Sequence, residues 1–308
     1  MKSSVQKEEQ VLLPTPAELR FGKGWKILIP FVFLPLLIIS AAVGVFLLFG
    51  KLAQQELTPQ EYLEKIRSGG THKRWQAAYE LSRHLARGNV GKDRIQFEKE
   101  IRELFKNSKL NEQVLRRYLL IALGQVGSKD SISMLEEVVQ NDVNTETQIY
   151  ALLALARIGL PRAQPVVAKQ VESEDPGLRK AAAFALGFVG SPKDIETLKK
   201  LLDDNVKDVR WNAALGLAKL GSSAGEHELL QLLEPEYIRK ETPNLREAER
   251  IEIILSAANA LGQIRSIAAI PKLQTLSESA TDSRLRIAAT NVLKAIKAET
   301  LTKTAVFE

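Results

Sequence analysis

The chain has 308 residues, 45% of them hydrophobic and 26% charged, which excludes wholly disordered and collagen-like classes. It contains no cysteine, so disulfides, thiolate nucleophiles and cysteine-based metal sites are excluded together. The net charge is +6, yet residues 51–308 carry 38 Lys and Arg against 34 Asp and Glu, a mixed surface rather than a polyanion-binding footprint.

Residues 1–26 form a polar segment that includes Glu8, Glu9 and Glu18. Ile27 to Gly50 follows as 24 residues without a charge, bounded by Lys26 and Lys51. At 1.5 Å per residue such a run spans roughly 30 Å or slightly more, so one transmembrane helix is expected over 27–50, with Trp25 as an interfacial anchor. Its length, and the acidic residues before it, argue against a cleaved signal peptide. Lys7, Arg20, Lys23 and Lys26 before the run outnumber Lys51, Lys65 and Arg67 after it. That bias predicts a cytoplasmic N-terminus and an extracytoplasmic, periplasmic-side remainder. Residues 51–71 are expected to be a linker and entry helix.

Beyond residue 110 the sequence repeats itself. Apolar or small residues recur at i, i+4, i+7, i+8 and i+11 from starts at Leu115, Thr147, Leu178, Val209, Ile253 and Leu285. The starts lie 32, 31, 31, 44 and 32 residues apart, one unit of about 31 with a single enlarged interval. Each start opens a helix, and its small Ala or Gly slots admit a neighbouring helix. A second amphipathic stretch lies between starts, for example Ile195, Leu198, Leu201 and Leu202. Gly127, Gly159, Gly190 and Gly221 are expected as left-handed residues closing the first helices, with Pro161 and Pro192 preventing continuation. Residues 72–110 read as a divergent first hairpin, and 235–250 as an insertion, a loop leading into a helix lengthened at its start. A hairpin alone cannot bury its apolar face, so the units are expected to stack into a right-handed all-α solenoid over 72–297, ahead of a C-terminal tail at 298–308.

GLRKAAAFALGFVGSPKDIETLKKLL and DVRWNAALGLAKLGS resemble HEAT-like repeats of the phycobilisome bilin-lyase type. The resemblance implies an α-solenoid that scaffolds or binds other proteins, a minority of such proteins assisting bilin attachment. It also implies that Asp175 and Asp208, with Arg179, Arg210 and Arg286, stabilise stacking between units.

Catalytic patterns are not apparent. His72, His84 and His227 form no ligand spacing, Asp203-Asp204 and Glu136-Glu137 read as solvated charge, and phosphate loops and nucleophile elbows are missing. The basic pairs Arg116-Arg117, Lys199-Lys200 and Arg239-Lys240 read as solvated faces, and Trp75, Trp211 and Tyr79 as packing residues. The expectation is a membrane-anchored interaction scaffold or accessory subunit of a membrane protein complex, without cofactor, metal or catalysis of its own. It would contact the bilayer through 27–50. The alternatives are an auxiliary subunit of a bilin or other tetrapyrrole lyase, or a basic solenoid that binds nucleic acid. Taking the more variable second helices as the inner ones nominates Lys193, Glu196 and Lys200, with Tyr237, Arg239 and Lys240 of the insertion, as partner-binding residues. On that reading a Gly/Ser linker in place of 236–242 leaves stability nearly unchanged.

Overall fold

A computed structural model describes the backbone of residues 25–53, 57–88 and 94–306, and the side chains of 33–47, 57–88 and 94–298. Two compact units divide the chain, Met1–Leu57 and Thr58–Glu308. In the first, α1 (Trp25–Ala53) runs through Pro30 and Pro35. Every described side chain of α1, 33–47, is exposed. Among the described residues no helix is long and apolar enough to cross a membrane. The side chains of 27–32 and 48–50, which complete the expected span, lie outside the described residues, as does the polar segment up to residue 24.

The second unit is helical in every element described. It opens with α2 (Pro59–Ser68), whose start is fixed by a reciprocal cap between Thr58 and Glu61. Leu63 and Ile66 of α2 are buried in one core with the repeats up to residue 217, so that core begins ahead of residue 72, and the later repeats share a second core. The divergent hairpin is α3 (Thr71–Ala86) and α4 (Arg94–Lys106). The repeated first helices are α5 (Gln113–Val126), α7 (Thr145–Ile158), α9 (Pro176–Val189), α11 (Lys207–Lys219), α14 (Glu247–Gln263) and α16 (Ser283–Val306). Each therefore begins a few residues before its start position. The second helices are α6 (Ile132–Asn141), α8 (Gln164–Lys169), α10 (Ile195–Lys200), α12 (Glu226–Leu232) and α15 (Ile270–Ser279), each preceded by a 3-10 turn. Helix α16 stays helical to Val306, through most of the expected tail.

The repeat template is the core. Leu119, Ala122, Leu123, Ala151, Leu155, Ala182, Ala185, Leu186, Ala213 and Leu217 are all buried, and so are Ala257, Leu261, Ala289 and Ile296. Small residues among them set how closely the helices approach. A Cβ added to Gly187 of α9 would lie 2.9 Å from the Cα of Gly216 in α11, and one on Gly124 of α5 3.0 Å from the Cα of Ala154 in α7. From α3 to α11, and again from α14 to α16, each first helix packs along its length on the next, with a smaller contact between α11 and α14, whereas second helices touch their counterparts sparsely. A stack bends toward its more closely packed row, which favours the first helices for the inner face. The expected assignment gave that face to the second helices.

The insertion also differs from its expected form. Residues Pro235–Glu241 are a helix, α13, because Pro235 occupies the first helical position, where no backbone N–H is needed. Ile238 is fully buried and Tyr237 packs against Trp211 with ring centroids 6.4 Å apart, so α13 belongs to the core. A flexible linker there would remove that packing. The expected lengthening of the following helix is seen in α14. Gly127, Gly159 and Gly221 are left-handed at φ 67°, 71° and 80°, but Gly190 is extended at φ −76°. Glycine is needed at 190 because a Cβ would collide with the carbonyl of Leu186.

Gly187→Ala should lower stability by about 1–3 kcal/mol through overpacking against α11. Gly70→Ala, at a helix N-cap with open space and ordinary φ, should cost less than that, since the weaker cap is offset by a less flexible unfolded chain. Urea unfolding of the two variants checks the contrast.

Candidate functional site

One polar interaction recurs where α7, α9, α11 and α16 begin. The residue after the start reaches back to the end of the preceding helix, where carbonyl groups lack intrahelical partners. Arg179 donates to the carbonyls of Ser173 and Glu174 at 2.9 and 3.0 Å, and Arg210 to that of Asp204 at 2.8 Å. Gln148 donates to the Asp142 carbonyl at 2.9 Å, and Arg286 to those of Ala280 and Thr281 at 2.6 and 2.9 Å. Arg179, and Arg116, which donates to the Ser108 hydroxyl at 3.2 Å, each bind a carboxylate in the next unit's turn. Arg116 pairs with Asp142, and Arg179 with Asp204 at 2.7 and 3.1 Å. Arg116 and Asp204 were expected on solvated faces. Arg116 is instead buried and Asp204 part-buried, because each guanidinium ties two units together and so must lie between them. Asp175 acts within its own unit, accepting from the Leu178 N–H at 3.0 Å as the cap of α9, and Asp208 is reached by Lys180 at 3.5 Å. Buried or part-buried, these arginines are engaged in holding the turns and the stack.

The outward side of the first helices is different. Six residues after each start stand Ile121, Leu153, Phe184 and Leu215, all half-buried. Ten residues after it stand Gln125, Arg157, Phe188 and Lys219. The Phe184 and Phe188 rings are 4.9 Å apart, and Phe188 is 41% exposed. Lys219 Nζ lies 5.1 Å from the Phe188 ring centre, and Arg157 donates to Gln125 at 2.9 Å. Toward the N-terminal hairpin, Tyr79 and Tyr118 meet edge to face at 5.1 Å, and the Arg117 guanidinium lies 5.1 Å from the Tyr150 ring. Beyond α11 the same positions hold Asn259 and Asn291. The result is an apolar and aromatic stripe over α3, α5, α7, α9 and α11, edged by arginine and lysine. Aromatic rings beside arginine are the composition that concentrates binding energy at protein interfaces.

The residues expected to bind a partner are not gathered on this face. Lys193, Glu196 and Lys200 are exposed on and before α10, in the sparsely packed row, where Glu196 pairs with Lys199 at 2.8 Å. In α13, Arg239 is exposed and paired with Glu236 at 2.5 Å and Glu247 at 3.8 Å, and Lys240 is exposed. Tyr237 is part-buried, and that burial raises its phenol above the ordinary value. Beside the insertion is a cavity of about 480 Å³ lined by Lys180, Lys207, Trp211, Glu241, Leu245 and Ile253. Among the described residues no cluster of His, Asp and Glu is arranged to hold a metal ion. His72 lies edge-on to Trp75 and His227 beside Gln231.

Residues 135–218 and 165–253 match the family model for HEAT repeats, and 254–279 match that for the PBS lyase HEAT-like repeat. The chain thus carries HEAT-like repeats. Its fold is similar to a solved chain of the complex of CpcE and CpcF of phycocyanin lyase from Nostoc sp. PCC7120. The identity is 19%, over 78% of this chain and 95% of that one, with a TM-score of 0.55. Human deoxyhypusine hydroxylase in complex with glycerol is also similar, at 17% identity over 78% and 96% of the two chains and a TM-score of 0.37. So is an archaeal HEAT-like repeats protein from Thermococcus onnurineus NA1, at 16% identity over 80% and 99% and a TM-score of 0.34. No curated protein matches the sequence.

The Arg179 hydrogen bonds hold the Asp204 carboxyl below its ordinary 3.8. A carboxyl lowered by folding contributes stability that is complete above the ordinary value and is lost as pH falls through the lowered one. Asp204→Asn should therefore cost about 1–2 kcal/mol at pH 7. The gap to wild type should close as pH falls below about 4, which urea titrations across pH will show.

Proposed function

We propose that this chain is a non-catalytic subunit that binds another protein along the inner face of its solenoid. The observation that carries this reading is the half-buried stripe of Ile121, Leu153, Phe184 and Leu215 with Phe188 at its edge. The helices that present it are rigid and closely packed, so little ordering entropy opposes binding. Among protein-binding roles, an auxiliary subunit of a lyase or other maturation enzyme has the most support. The PBS lyase HEAT-like match at 254–279 and the fold likeness to the CpcE and CpcF phycocyanin lyase complex both favour it. Full chain purified from detergent extract should retain a specific protein partner, and with a tetrapyrrole-linked partner the complex should absorb visible light. A partner retained without pigment would leave the binding role and remove the lyase role. Absence of any partner would remove both.

A second reading places the solenoid at a membrane, with residues 27–50 as the anchor, the N-terminus cytoplasmic and the repeats on the extracytoplasmic side. It is supported by the uncharged run from Ile27 to Gly50 and by exposed Phe33, Leu37, Phe46 and Leu47 in α1. On this reading the full chain floats with liposomes after alkaline washing, and residues 58–308 stay in the aqueous fraction as a folded helical unit. A full chain that washes free of lipid would refute it.

A further inference from the structure

On the reading that the inner face binds a protein, the charges along that face also indicate what the protein presents. Near the N-terminal ends of the first helices, cations are answered within the chain. Arg117 pairs with Glu146, Lys180 with Asp208 at 3.5 Å and Arg284 with Glu252 at 2.7 Å. At the C-terminal ends this stops. Arg157 in α7 meets the Gln125 amide and Lys219 in α11 the Phe188 ring, and neither has a carboxylate partner among the described residues. These two cations hold the same register in units on either side of Phe188, the exposed aromatic of the face.

A lysine or arginine near a helix C-terminus offsets the helix dipole. That effect asks for no exposed phenylalanine between the cations. We propose that the C-terminal ends of α7, α9 and α11 bind an acidic segment of the partner protein, its carboxylates on Arg157 and Lys219 and an apolar side chain against Phe184 and Phe188. A nucleic acid fits less well. Its evenly spaced phosphates would meet two open cations, with Glu146, Asp208 and Glu252 on the same helix row. A carboxylate pair flanking an apolar residue satisfies both cations and covers the ring.

The test uses the full chain in mild detergent and a labelled peptide of Asp and Glu around a central Leu-Phe pair. The same peptide with Lys for the acids, and a short single-stranded DNA, serve as competitors. The acidic peptide should bind, and weaken by about tenfold or more for Arg157→Glu with Lys219→Glu. Phe188→Ala should weaken it as well, and Lys193→Ala with Lys200→Ala, on the other helix row, should not. If the charge reversals disturb the helical circular dichroism, Arg157→Gln with Lys219→Gln replaces them and should still weaken binding. Failure of the acidic peptide to bind, equal binding by the variants, or preference for DNA or the Lys peptide would overturn the proposal. A natural partner that co-purifies equally with the charge-reversed chain would overturn this placement and leave the protein-binding reading standing. A wild-type chain that retains no partner at all would instead remove that reading.

Discussion

Gly187 faces Gly216 so closely that a single added methyl group would lie 2.9 Å from the opposite Cα, and Gly124 faces Ala154 at 3.0 Å in the same way. These contacts set the spacing of the first helices, and the spacing fixes much else. Close helices bury the Leu and Ala slots completely, which supplies the core of a chain whose units cannot fold alone. The shorter second helices touch one another only sparsely. Side chains six and ten residues after each start then form continuous rows, because equal helices in equal register repeat the same surface.

Polar groups guard the same register from the other end. Arg179, Arg210 and Arg286 satisfy helix-end carbonyls that the turns would leave unpaired, and Arg116 and Arg179 each bind an aspartate one unit on. An arginine suits this task because its planar fork reaches a carbonyl and a carboxylate at once. With one polar layer holding the N-terminal ends together, the C-terminal ends carry Arg157, Phe188 and Lys219, which the stack itself does not require. That division between groups that hold units together and groups left over is the physical basis for locating function on the inner face.

Much of this was legible in the residues. The starts at Leu115, Thr147, Leu178, Val209, Ile253 and Leu285 mark six first helices, and Pro161 and Pro192 sit at the turns that follow. Gly190 could not be read as extended, since sequence shows that glycine is needed and not whether φ or a nearby carbonyl demands it. Pro235 was misleading for a similar reason: it excludes a helix interior but suits a first turn, and Ile238, buried by tertiary packing, decides between them. Variability of exposed residues points to the second helices as the inner row, and close packing points to the first. Periodicity cannot show which helix row is closer. That depends on Gly and Ala meeting across units, a contact between residues about 30 apart. The stripe itself lay in the alignment of repeats, at the positions of Phe184 and Phe188.

Because the chain lacks cysteine, pairs of spin labels can be placed on it without background, and the unequal spacing of the two rows can be measured directly. Gln125→Cys with Phe188→Cys labels the first helices two units apart, and Ser133→Cys with Glu196→Cys labels the second helices at the same separation in the repeat. The first pair should lie at about 20 Å, two helix diameters, and the second pair distinctly farther apart. Equal distances, or a shorter distance across the second helices, would contradict the assignment of the first helices to the inner face and with it the location of the binding surface.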